Sequence, residues 1–471
     1  MQKLLFMTIL CFSTSLMANT EANFKKLIKK YKFDENGIGV FVESDGKKIV
    51  DINGNKLFVP ASLTKIITGA AVLKKISYDK KFETKLMSSG QIEGATLNGD
   101  LCLVGGGDPS FVSEKMWYLV NEFTRNGINR INGKIIVDSL RFDQELYDEG
   151  RGSKRVDRAF DAPISAMSFN WNAVNIFVRP GKKVGDKAEV TLDPVSDYFV
   201  LVNNTKTVAA NGKKTIEVSR VENGKRDTII VNGSLPQGSG ESVYYKSISN
   251  PTLWSGTHLI EFLKQRNISV AGAVVDGECD PLATTYATVA SKKLSEMTND
   301  MLKYSNNFVA EMLIKNLAAE DSNLTPNGKN ANMKNGIEAL QRYLDTLGIK
   351  RTDYVLDNVS GLTRGNRFTA KQFTQVLSSV KNDFQIFPEF LSGLPIAGVD
   401  GTLKNRLKHE KYSFVRGKTG YLDGVIGLAG YIGSSKQSPI VYAFIFNGSY
   451  DKGVQARALF DSFIDELSKI N

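Results

Sequence analysis

Residues 60–72 read Pro-Ala-Ser-Leu-Thr-Lys-Ile-Ile-Thr-Gly-Ala-Ala-Val, and this is the most informative stretch of the chain. Its largely apolar run from Leu63 to Val72, with Gly69 the sole weak point, predicts a buried helix. Ser62 falls at the start of that helix, where unpaired backbone N–H groups and the helix dipole favour developing negative charge. Lys65 follows three residues later, so the two side chains share one helix face.

This pairing indicates a serine nucleophile with a lysine base. A serine hydroxyl is a weak nucleophile until a neighbouring group takes its proton. Lys65 can take it only if burial or a second cation lowers the lysine pKa. The alternative is a capping serine followed by a solvated lysine. Ser-x-x-Lys also occurs at Ser44 and Ser378, so the pattern alone is weak support.

Two further motifs follow along the chain and separate Ser62 from those chance matches. Ser305-Asn306-Asn307 lies between two helical patterns, so Ser305 and Asn307 need a connecting turn to face one cleft. Lys418-Thr419-Gly420 is predicted to lie on a strand before a hairpin formed by residues 425–431 and 440–447. Lys418 is the candidate for the second cation near Lys65.

Other kinds of site find little support. The two histidines, His258 and His409, lie near no serine or carboxylate pattern, which disfavours a Ser-His-Asp triad. His, Cys and carboxylate residues do not cluster at metal-ligand spacing. Residues 105–108, Gly-Gly-Gly-Asp, lack the Gly-Lys-Ser/Thr ending of a phosphate-binding loop. We therefore expect neither a metal nor a cofactor.

The charge pattern does not suggest nucleic acid. The net charge is +10, but the lysines are dispersed and do not interleave with aromatic residues. A positive surface suits an anionic setting such as a bacterial envelope, although a generally basic solvated surface is the simpler interpretation.

The N-terminus predicts export. Lys3 precedes an apolar stretch over residues 4–17, and Ala18 precedes polar sequence, which is typical of a cleavable signal peptide at 1–18. The stretch is too short to span a membrane convincingly. We expect a protein without a transmembrane anchor, in the periplasm or outside the cell. Cys102 and Cys279 remain as a pair that could form a disulfide in such a compartment, and the sequence alone leaves this open.

Strand and helix signals at both ends of the chain predict one α/β domain with the middle inserted. The predicted map has a core α/β domain at 19–86 and 288–471, an inserted α/β domain at 87–179 and 245–287, and a nested all-β domain at 180–244. The nested domain carries three predicted hairpin turns, at Asn211-Gly212, Asn223-Gly224 and Asn232-Gly233. A sequence pattern occurs twice, at 125–138 and at 266–276: the end of a helix, an isoleucine, and a strand that ends in aspartate. The repetition predicts two similar units that pair with each other.

With these motifs the chain resembles the class C low-molecular-mass penicillin-binding proteins, a D-alanyl-D-alanine carboxypeptidase/endopeptidase family. The motif order agrees, as does the large separation of the first two motifs, and further similar stretches lie at 105–109, 161–164, 360–364 and 394–401. The resemblance covers essentially the whole mature chain. It implies an α/β (α+β) serine DD-peptidase/β-lactamase-like core, an antiparallel sheet with helices on both faces, plus inserted β-rich domains.

The resemblance also implies a chemistry. Ser62 would attack the carbonyl of the penultimate D-alanine of a peptidoglycan stem peptide, with Lys65 as base, and β-lactams would be covalent inhibitors. Ser305 would relay a proton to the leaving amine, and Asn307 would hold the substrate amide. The backbone N–H groups of Ser62 and Tyr421 would form the oxyanion hole. The catalytic positions are Ser62, Lys65, Ser305, Asn307 and Lys418, and the substrate-binding positions are Thr419, Gly420, Tyr421, Leu422 and Asp157.

Two departures from the family pattern concern specificity. Tyr421 stands where a Ser or Thr usually helps to bind the terminal carboxylate. Arg155 stands where an aspartate often binds the free amine of a diaminopimelate side chain, with Asp157 nearby. A β-lactamase or esterase on the same core, and a catalytically silent wall-binding scaffold, are the alternative functions. Loss of Lys65 or Lys418 would favour the silent scaffold, and both are present.

Overall fold

The computed structural model describes residues 19–151, 157–224, 226–434 and 437–470. The predicted signal peptide and Arg155 lie outside the described residues. The helices are α1 (19–30), α2 (Thr64–Lys75), α3 (Ser113–Thr124), α4 (Pro251–Lys264), α5 (Leu294–Tyr304), α6 (Asn307–Glu320), α7 (Met333–Thr346), α8 (Ala370–Lys381), α9 (Phe387–Gly393) and α10 (Gly453–Leu467).

The strands, in chain order, are β1 (Ile38–Ser44), β2 (Lys47–Ile52), β3 (Glu83–Ser88), β4 (Gln91–Glu93), β5 (Thr96–Asn98), β6 (Leu101–Val104), β7 (Arg130–Ile131), β8 (Ile135–Asp138), β9 (Ala173–Arg179), β10 (Glu189–Asp193), β11 (Phe199–Val208), β12 (Glu217–Asn223), β13 (Arg226–Pro236), β14 (Ser242–Ser247), β15 (Ser269–Val270), β16 (Val274–Asp276), β17 (Thr284–Ala290), β18 (Val415–Leu422), β19 (Val425–Ile432) and β20 (Ile440–Asn447).

The two ends of the chain build a five-stranded sheet in the order β18-β19-β20-β1-β2, and every neighbouring pair is antiparallel. Side chains of β20 alternate between two cores, as the period of a strand requires. Val441, Ala443 and Ile445 face the core that contains α2 and α5 to α9, while Tyr442 and Phe444 face α1 and α10. This confirms the predicted antiparallel sheet with helices on both faces.

The inserted region contains a mixed sheet in the order β16-β8-β6-β3-β17 and a second sheet in the order β15-β7-β5-β4. The two copies of the repeated sequence pattern pair with each other: β7 pairs with β15 and β8 pairs with β16, and both pairs are parallel. That prediction is confirmed. Cys102 in β6 is bonded to Cys279, just after β16, with the Cα atoms 6.0 Å apart. The predicted boundaries at 86/87 and 287/288 fall inside β3 and β17, which pair with each other.

Two three-stranded sheets, β10-β9-β14 and β11-β13-β12, hold most of the nested region. Asn223-Gly224 lies at the predicted hairpin turn between β12 and β13. Asn211-Gly212 lies in a turn between β11 and β12, which both pair with β13 and not with each other, so the predicted hairpin there is wrong.

The third predicted hairpin, at Asn232-Gly233, is also wrong because Gly233 lies inside β13. Gly233 has φ +100°, and a Cβ at this position would lie 2.1 Å from the carbonyl oxygen of Thr215. The glycine therefore permits a close approach of two backbones, a second reason for glycine inside a strand.

The nested strands share a core with the α/β part of the insert. The rings of Tyr198 and Phe199 each lie 5.4 Å from the ring of Trp254 in α4, which is fully buried. None of the helices in the described ranges is long and apolar enough to cross a membrane.

Candidate active site

The nucleophile turn is a short 3₁₀ helix, Ala61–Leu63, that runs directly into α2. Ser62 therefore lies two residues before α2. Ala61 adopts a left-handed conformation with φ +49°, which is costly for a residue other than glycine. Gly361 packs against this turn so closely that a Cβ would lie 2.0 Å from the Ala61 carbonyl oxygen. The loop around Gly361 thus fixes the position of the Ser62 backbone.

Lys65 lies behind Ser62 with no exposed surface. Its Nζ is 3.0 Å from Ser62 Oγ, 2.7 Å from Asn307 Oδ1 and 2.5 Å from the Ser360 carbonyl oxygen. Burial lowers the lysine pKa well below its ordinary value, and the nearby cations of Lys418 and Arg151 lower it further, against the opposing carboxylate of Glu311. A neutral amine at this position can accept the Ser62 proton.

The second motif is a left-handed break between two helices. Ser305 ends α5 with φ +58°, and the Asn306 side chain caps α6 by accepting from the Val309 N–H at 3.1 Å. This is the connecting turn that the spacing of Ser305 and Asn307 requires. It turns Ser305 toward Lys418 and Asn307 toward Lys65.

The third motif lies on β18, an edge strand of the central sheet. Lys418 is fully buried, and its Nζ donates to Ser305 Oγ at 2.8 Å and to the Thr419 carbonyl at 2.7 Å. Burial lowers the pKa of Lys418 to about 7. A Cβ on Gly420 would lie 2.8 Å from the Pro60 carbonyl oxygen, so glycine lets β18 approach the nucleophile turn.

The outer edge of β18 is positioned to pair with an extended peptide. At that edge the backbones of Val415 and Gly417 bond to Ala397 and Pro395. Backbone groups alternate between the two edges of an antiparallel strand, so those of Thr419 and Tyr421 face the same outer edge.

Side chains on this strand are held by neighbouring elements. Thr419 Oγ1 donates to Thr402 Oγ1 at 2.8 Å. The Tyr421 ring is half exposed, with the Arg457 guanidinium 4.9 Å from its centroid. Leu422 ends β18 and packs with Val59 and Val425.

Sequence reasoning missed the residues that hold the Ser360 carbonyl. The buried Asn358 accepts at Oδ1 from the Ser360 N–H, the Ser360 hydroxyl and the Leu362 N–H, at 2.8–3.1 Å. Its Nδ2 donates to Asp148 at 2.6 Å, and burial raises the pKa of Asp148 to about 6. The sequence of residues 360–364 resembles the family but does not indicate this role.

An ion cluster behind Lys65 was also missed. The side chain of Arg151 is 1 % exposed, and its Nε donates to Glu311 at 2.8 Å while its Nη1 donates to Asp161 at 2.7 Å. Glu311 belongs to α6, and Arg151 and Asp161 belong to a segment of the insert. Residues so far apart along the chain form no local pattern, so no sequence signal could have shown the cluster.

The structure does not place every predicted site residue beside the motifs. Asp157 lies in the insert, where its Oδ2 accepts from Lys246 Nζ at 2.7 Å and from the Arg220 N–H at 2.9 Å. His258 is buried against Trp254, and burial lowers its pKa to about 4. His409 caps the short turn Glu410–Tyr412. Within the described ranges, no group of His, Cys, Asp and Glu side chains could hold a metal ion.

Comparison with known proteins agrees with this geometry. A D-alanyl-D-alanine carboxypeptidase of Actinomadura sp. (strain R39) is 28 % identical over 427 residues, covering 88 % of this chain and 77 % of the relative. The D-alanyl-D-alanine carboxypeptidase DacB of Haemophilus influenzae is 25 % identical over 448 residues, covering 93 % and 91 %.

Solved structures show the same architecture. Penicillin binding protein 4 (dacB) from Haemophilus influenzae matches with a TM-score of 0.81 and 24 % identity, over 95 % of this chain and 99 % of that one. The same protein has been solved in complex with a β-lactam. The model of the D-Ala-D-Ala carboxypeptidase 3 (S13) family matches residues 20–467. The chain therefore belongs to the D-Ala-D-Ala carboxypeptidase 3 (S13) family of DD-peptidases.

Proposed function

We propose that this DD-peptidase is exported and hydrolyses both D-Ala-D-Ala termini and D-Ala cross-links of peptidoglycan through an acyl-enzyme on Ser62. The observation that carries the proposal is the 3.0 Å contact between Ser62 Oγ and the fully buried Lys65 Nζ. Such a pair has the reach that a nucleophile and its base need.

Acylation begins when neutral Lys65 takes the Ser62 proton and Oγ bonds to the carbonyl carbon of the penultimate D-alanine. The negative charge that develops on the carbonyl oxygen is stabilised by the N–H groups of Ser62 and Tyr421. The carbon–nitrogen bond then breaks, and Ser305, bonded to Lys418, passes a proton to the leaving amine. A water molecule attacks the ester carbonyl carbon and gives up a proton that restores the Ser305 hydroxyl. The bond from the acyl carbon to Ser62 Oγ then breaks, Ser62 regains its proton from Lys65, and the shortened peptide leaves as a carboxylic acid.

Substrate binding follows from the edge strand. An extended stem peptide would add to β18 through the backbones of Thr419 and Tyr421, a common mode of peptide recognition. Asn307 would hold the substrate amide from the opposite wall of the cleft, and Lys418 with Thr419 would attract a terminal carboxylate. A β-lactam presents a similar amide and carboxylate, and the related Haemophilus influenzae protein binds one.

Labelled penicillin tests the nucleophile. Peptide mapping of the adduct should find the label on Ser62, and Ser62→Ala should abolish it. Lys65→Ala should slow acylation by about 10³-fold or more, as loss of a jointly acting catalytic group does. Ser378→Ala is the matched control, because Ser378 also stands in a Ser-x-x-Lys pattern and should label normally. An adduct that persists in Ser62→Ala contradicts the proposal.

Export has its own test. The full chain should be found outside the inner membrane of a bacterial host, with a mass that corresponds to a mature N-terminus at Asn19. A cytoplasmic protein that retains residues 1–18 contradicts this part of the proposal and leaves the chemistry at Ser62 standing.

A further inference from the structure

A cleft of about 740 Å³ lies beside the catalytic centre, between the insert and the turn that joins α5 to α6. Ser305 and Asn307 form one end of it, while Trp171 and Tyr245 of the insert lie on the other wall. The chemistry proposed above uses only the catalytic end. The remaining part of this cleft, hereafter the aromatic cleft, is large enough to hold another part of the substrate.

Trp171 is presented by an unusual piece of backbone. Asn170, Trp171 and Asn172 are consecutive residues with φ of +48°, +55° and +49°. Three left-handed residues in succession are unfavourable for L-amino acids, and such conformations persist where surrounding bonds enforce them.

Two asparagine side chains supply those bonds. Asn172 is fully buried, and its Nδ2 donates to the Pro163 carbonyl at 3.0 Å and to Ser168 Oγ at 2.8 Å. Asn170 Oδ1 accepts from the Ser113 N–H at 3.0 Å. The turn is thus rigid, and it leaves the Trp171 ring 48 % exposed on the wall of the aromatic cleft.

The lining of the aromatic cleft has a consistent chemistry. Trp171 is joined by exposed rings of Tyr245, Tyr304 and Phe160. The polar side chains beside them include the amides of Asn170 and Asn175 and the carboxylates of Glu114 and Asp193. None of the described residues that line it is basic, although the chain has a net charge of +10. The aromatic cleft is therefore unfavourable for anions and rich in groups that accept hydrogen bonds from hydroxyls.

We infer that the aromatic cleft binds the N-acetylated sugar chain to which the stem peptide is attached. The faces of exposed aromatic rings offer apolar area at low entropic cost and can cover the C–H face of a sugar ring. Carboxylates and amides accept from sugar hydroxyls, and amide groups also bond to acetamido groups. A neutral sugar needs no basic partner. This inference rests on the proposed action on peptidoglycan and adds the glycan as a second recognised part of the substrate.

The test compares two substrates that differ only in the sugar: a pentapeptide stem that carries its N-acetylated disaccharide, and the same stem without it. Wild-type protein should release D-alanine from the disaccharide-linked stem with a kcat/KM higher by about tenfold, the factor that 1.4 kcal/mol of binding supplies. Trp171→Ala should reduce this ratio to near one, and Trp171→Tyr should restore part of it.

Trp117→Ala is the matched control. Trp117 is 43 % exposed on α3, where it lies under the Arg266 guanidinium outside the aromatic cleft. Its substitution should leave the sugar preference unchanged. Labelled penicillin, which carries no sugar, reports acylation of Ser62 separately from glycan binding.

Equal rates on both substrates would overturn the inference, while normal penicillin labelling would show that the proposed chemistry still stands. A sugar preference that survives Trp171→Ala would place the glycan elsewhere. A third outcome would also contradict the inference. The rate of D-alanine release would then depend on a free amine on the stem peptide and not on the sugar, and the double variant Glu114→Gln/Asp193→Asn would remove that dependence. Such a result would mean that the aromatic cleft binds peptide.

Discussion

At the scale of single residues, Lys65 and Lys418 show how two distant motifs come together in one buried cluster. Burial lowers the pKa of both amines, and the nearby charge of Lys418 lowers the pKa of Lys65 further. Ser62 and Ser305 each contact one of these amines. The protein thus contains two serine–lysine pairs, to which the proposed mechanism gives the roles of attack and proton delivery.

Tyr421 carries the first prediction at this scale. The family resemblance implies a Ser or Thr at this position, with a short side-chain hydroxyl that binds the terminal carboxylate, and a hydrogen bond to a charged group is worth roughly 1.5–3 kcal/mol. We expect Tyr421→Ser to raise kcat/KM on a monomeric pentapeptide by about ten- to hundredfold. A dimer that is cross-linked through a lysine side chain has no carboxylate beside the scissile nitrogen, so its rate should gain much less.

The measurement is D-alanine release from pentapeptide and dimer cleavage, followed in parallel by mass spectrometry. Wild-type protein should cut the dimer at a rate at least comparable with the pentapeptide. Tyr450→Ser, at an exposed tyrosine outside β18, is the control. A wild type that cuts only pentapeptide, or a Tyr421→Ser variant without a gain on it, would show that this interpretation of the pocket is mistaken.

At the scale of elements, the loop at 358–364 matters as much as α2. Gly361 in this loop packs on the backbone of the nucleophile turn, and the Ser360 carbonyl accepts from Lys65 Nζ. Because Asn358 binds three groups of the loop at once, one side chain fixes the position of the lysine amine.

We therefore predict that Asn358→Ala slows penicillin acylation by about a hundredfold, the order expected when a small displacement disturbs the reacting geometry. Asn358 is a positioning residue, so Asn358→Asp, which keeps the acceptor oxygen for the loop, should recover part of the rate. Asn382→Ala, at an exposed asparagine after α8, should acylate normally. The measurement is the second-order rate constant with labelled penicillin, with circular dichroism to verify folding.

At the scale of the whole molecule, the insert reaches the candidate active site. Arg151, from the insert, neutralises Glu311 of α6, and both charges act on Lys65 in opposite directions. The insert therefore contributes to the lowered pKa of Lys65 as well as to the lining of the cleft.

This coupling predicts a change in pH dependence. Acylation requires neutral Lys65, so its rate rises with pH through the pKa of that amine. Arg151→Met leaves the Glu311 carboxylate without its partner cation, so the pKa of Lys65 should rise. The increase of acylation rate with pH should therefore occur at higher pH than in the wild-type protein. The loss of rate should therefore be larger at pH 6 than at pH 9.

The double variant Arg151→Met/Glu311→Gln removes both charges. Its acylation rate should again rise with pH over nearly the same range as that of the wild-type protein. Acylation rates between pH 5 and 9 measure the shift, at low temperature because an unpaired buried charge costs about 3–5 kcal/mol of stability. A uniform loss of rate at every pH would mean that Arg151 has only a structural role.

The disulfide predicts a separate effect on stability. The Cys102–Cys279 bond closes a long loop, with a sequence separation of 177 residues, and such bonds typically stabilise by about 2–4 kcal/mol. Cys102→Ala/Cys279→Ala should lower the melting temperature. Labelling of Ser62 at low temperature should persist, since neither cysteine contacts the three motifs. A thiol titration of wild-type protein that finds two free cysteines among the mature residues would contradict the bond.

The sequence by itself determined the features that depend on local spacing. The apolar run after Ser62 predicted a helix, the spacing of Ser305 and Asn307 predicted a connecting turn between two helices, and the runs at 425–431 and 440–447 predicted two strands of a hairpin. The three motifs, in their order, were sufficient to indicate the family.

Only the tertiary structure decided what depends on contacts between distant segments. Residues that are far apart in the sequence meet in the Arg151–Glu311 pair, in the contacts of Asn358 and in the aromatic cleft. Because no sequence periodicity relates these residues, no local pattern predicts the contacts. Gly233 shows the converse. The sequence Asn232-Gly233 favours a turn locally. In the structure β13 continues through it and pairs with a strand on each side, and Gly233 permits a close approach to the backbone of Thr215. The local preference of a short sequence for one conformation contributes less free energy than the contacts between distant segments, and those contacts also bring the residues of the candidate site together.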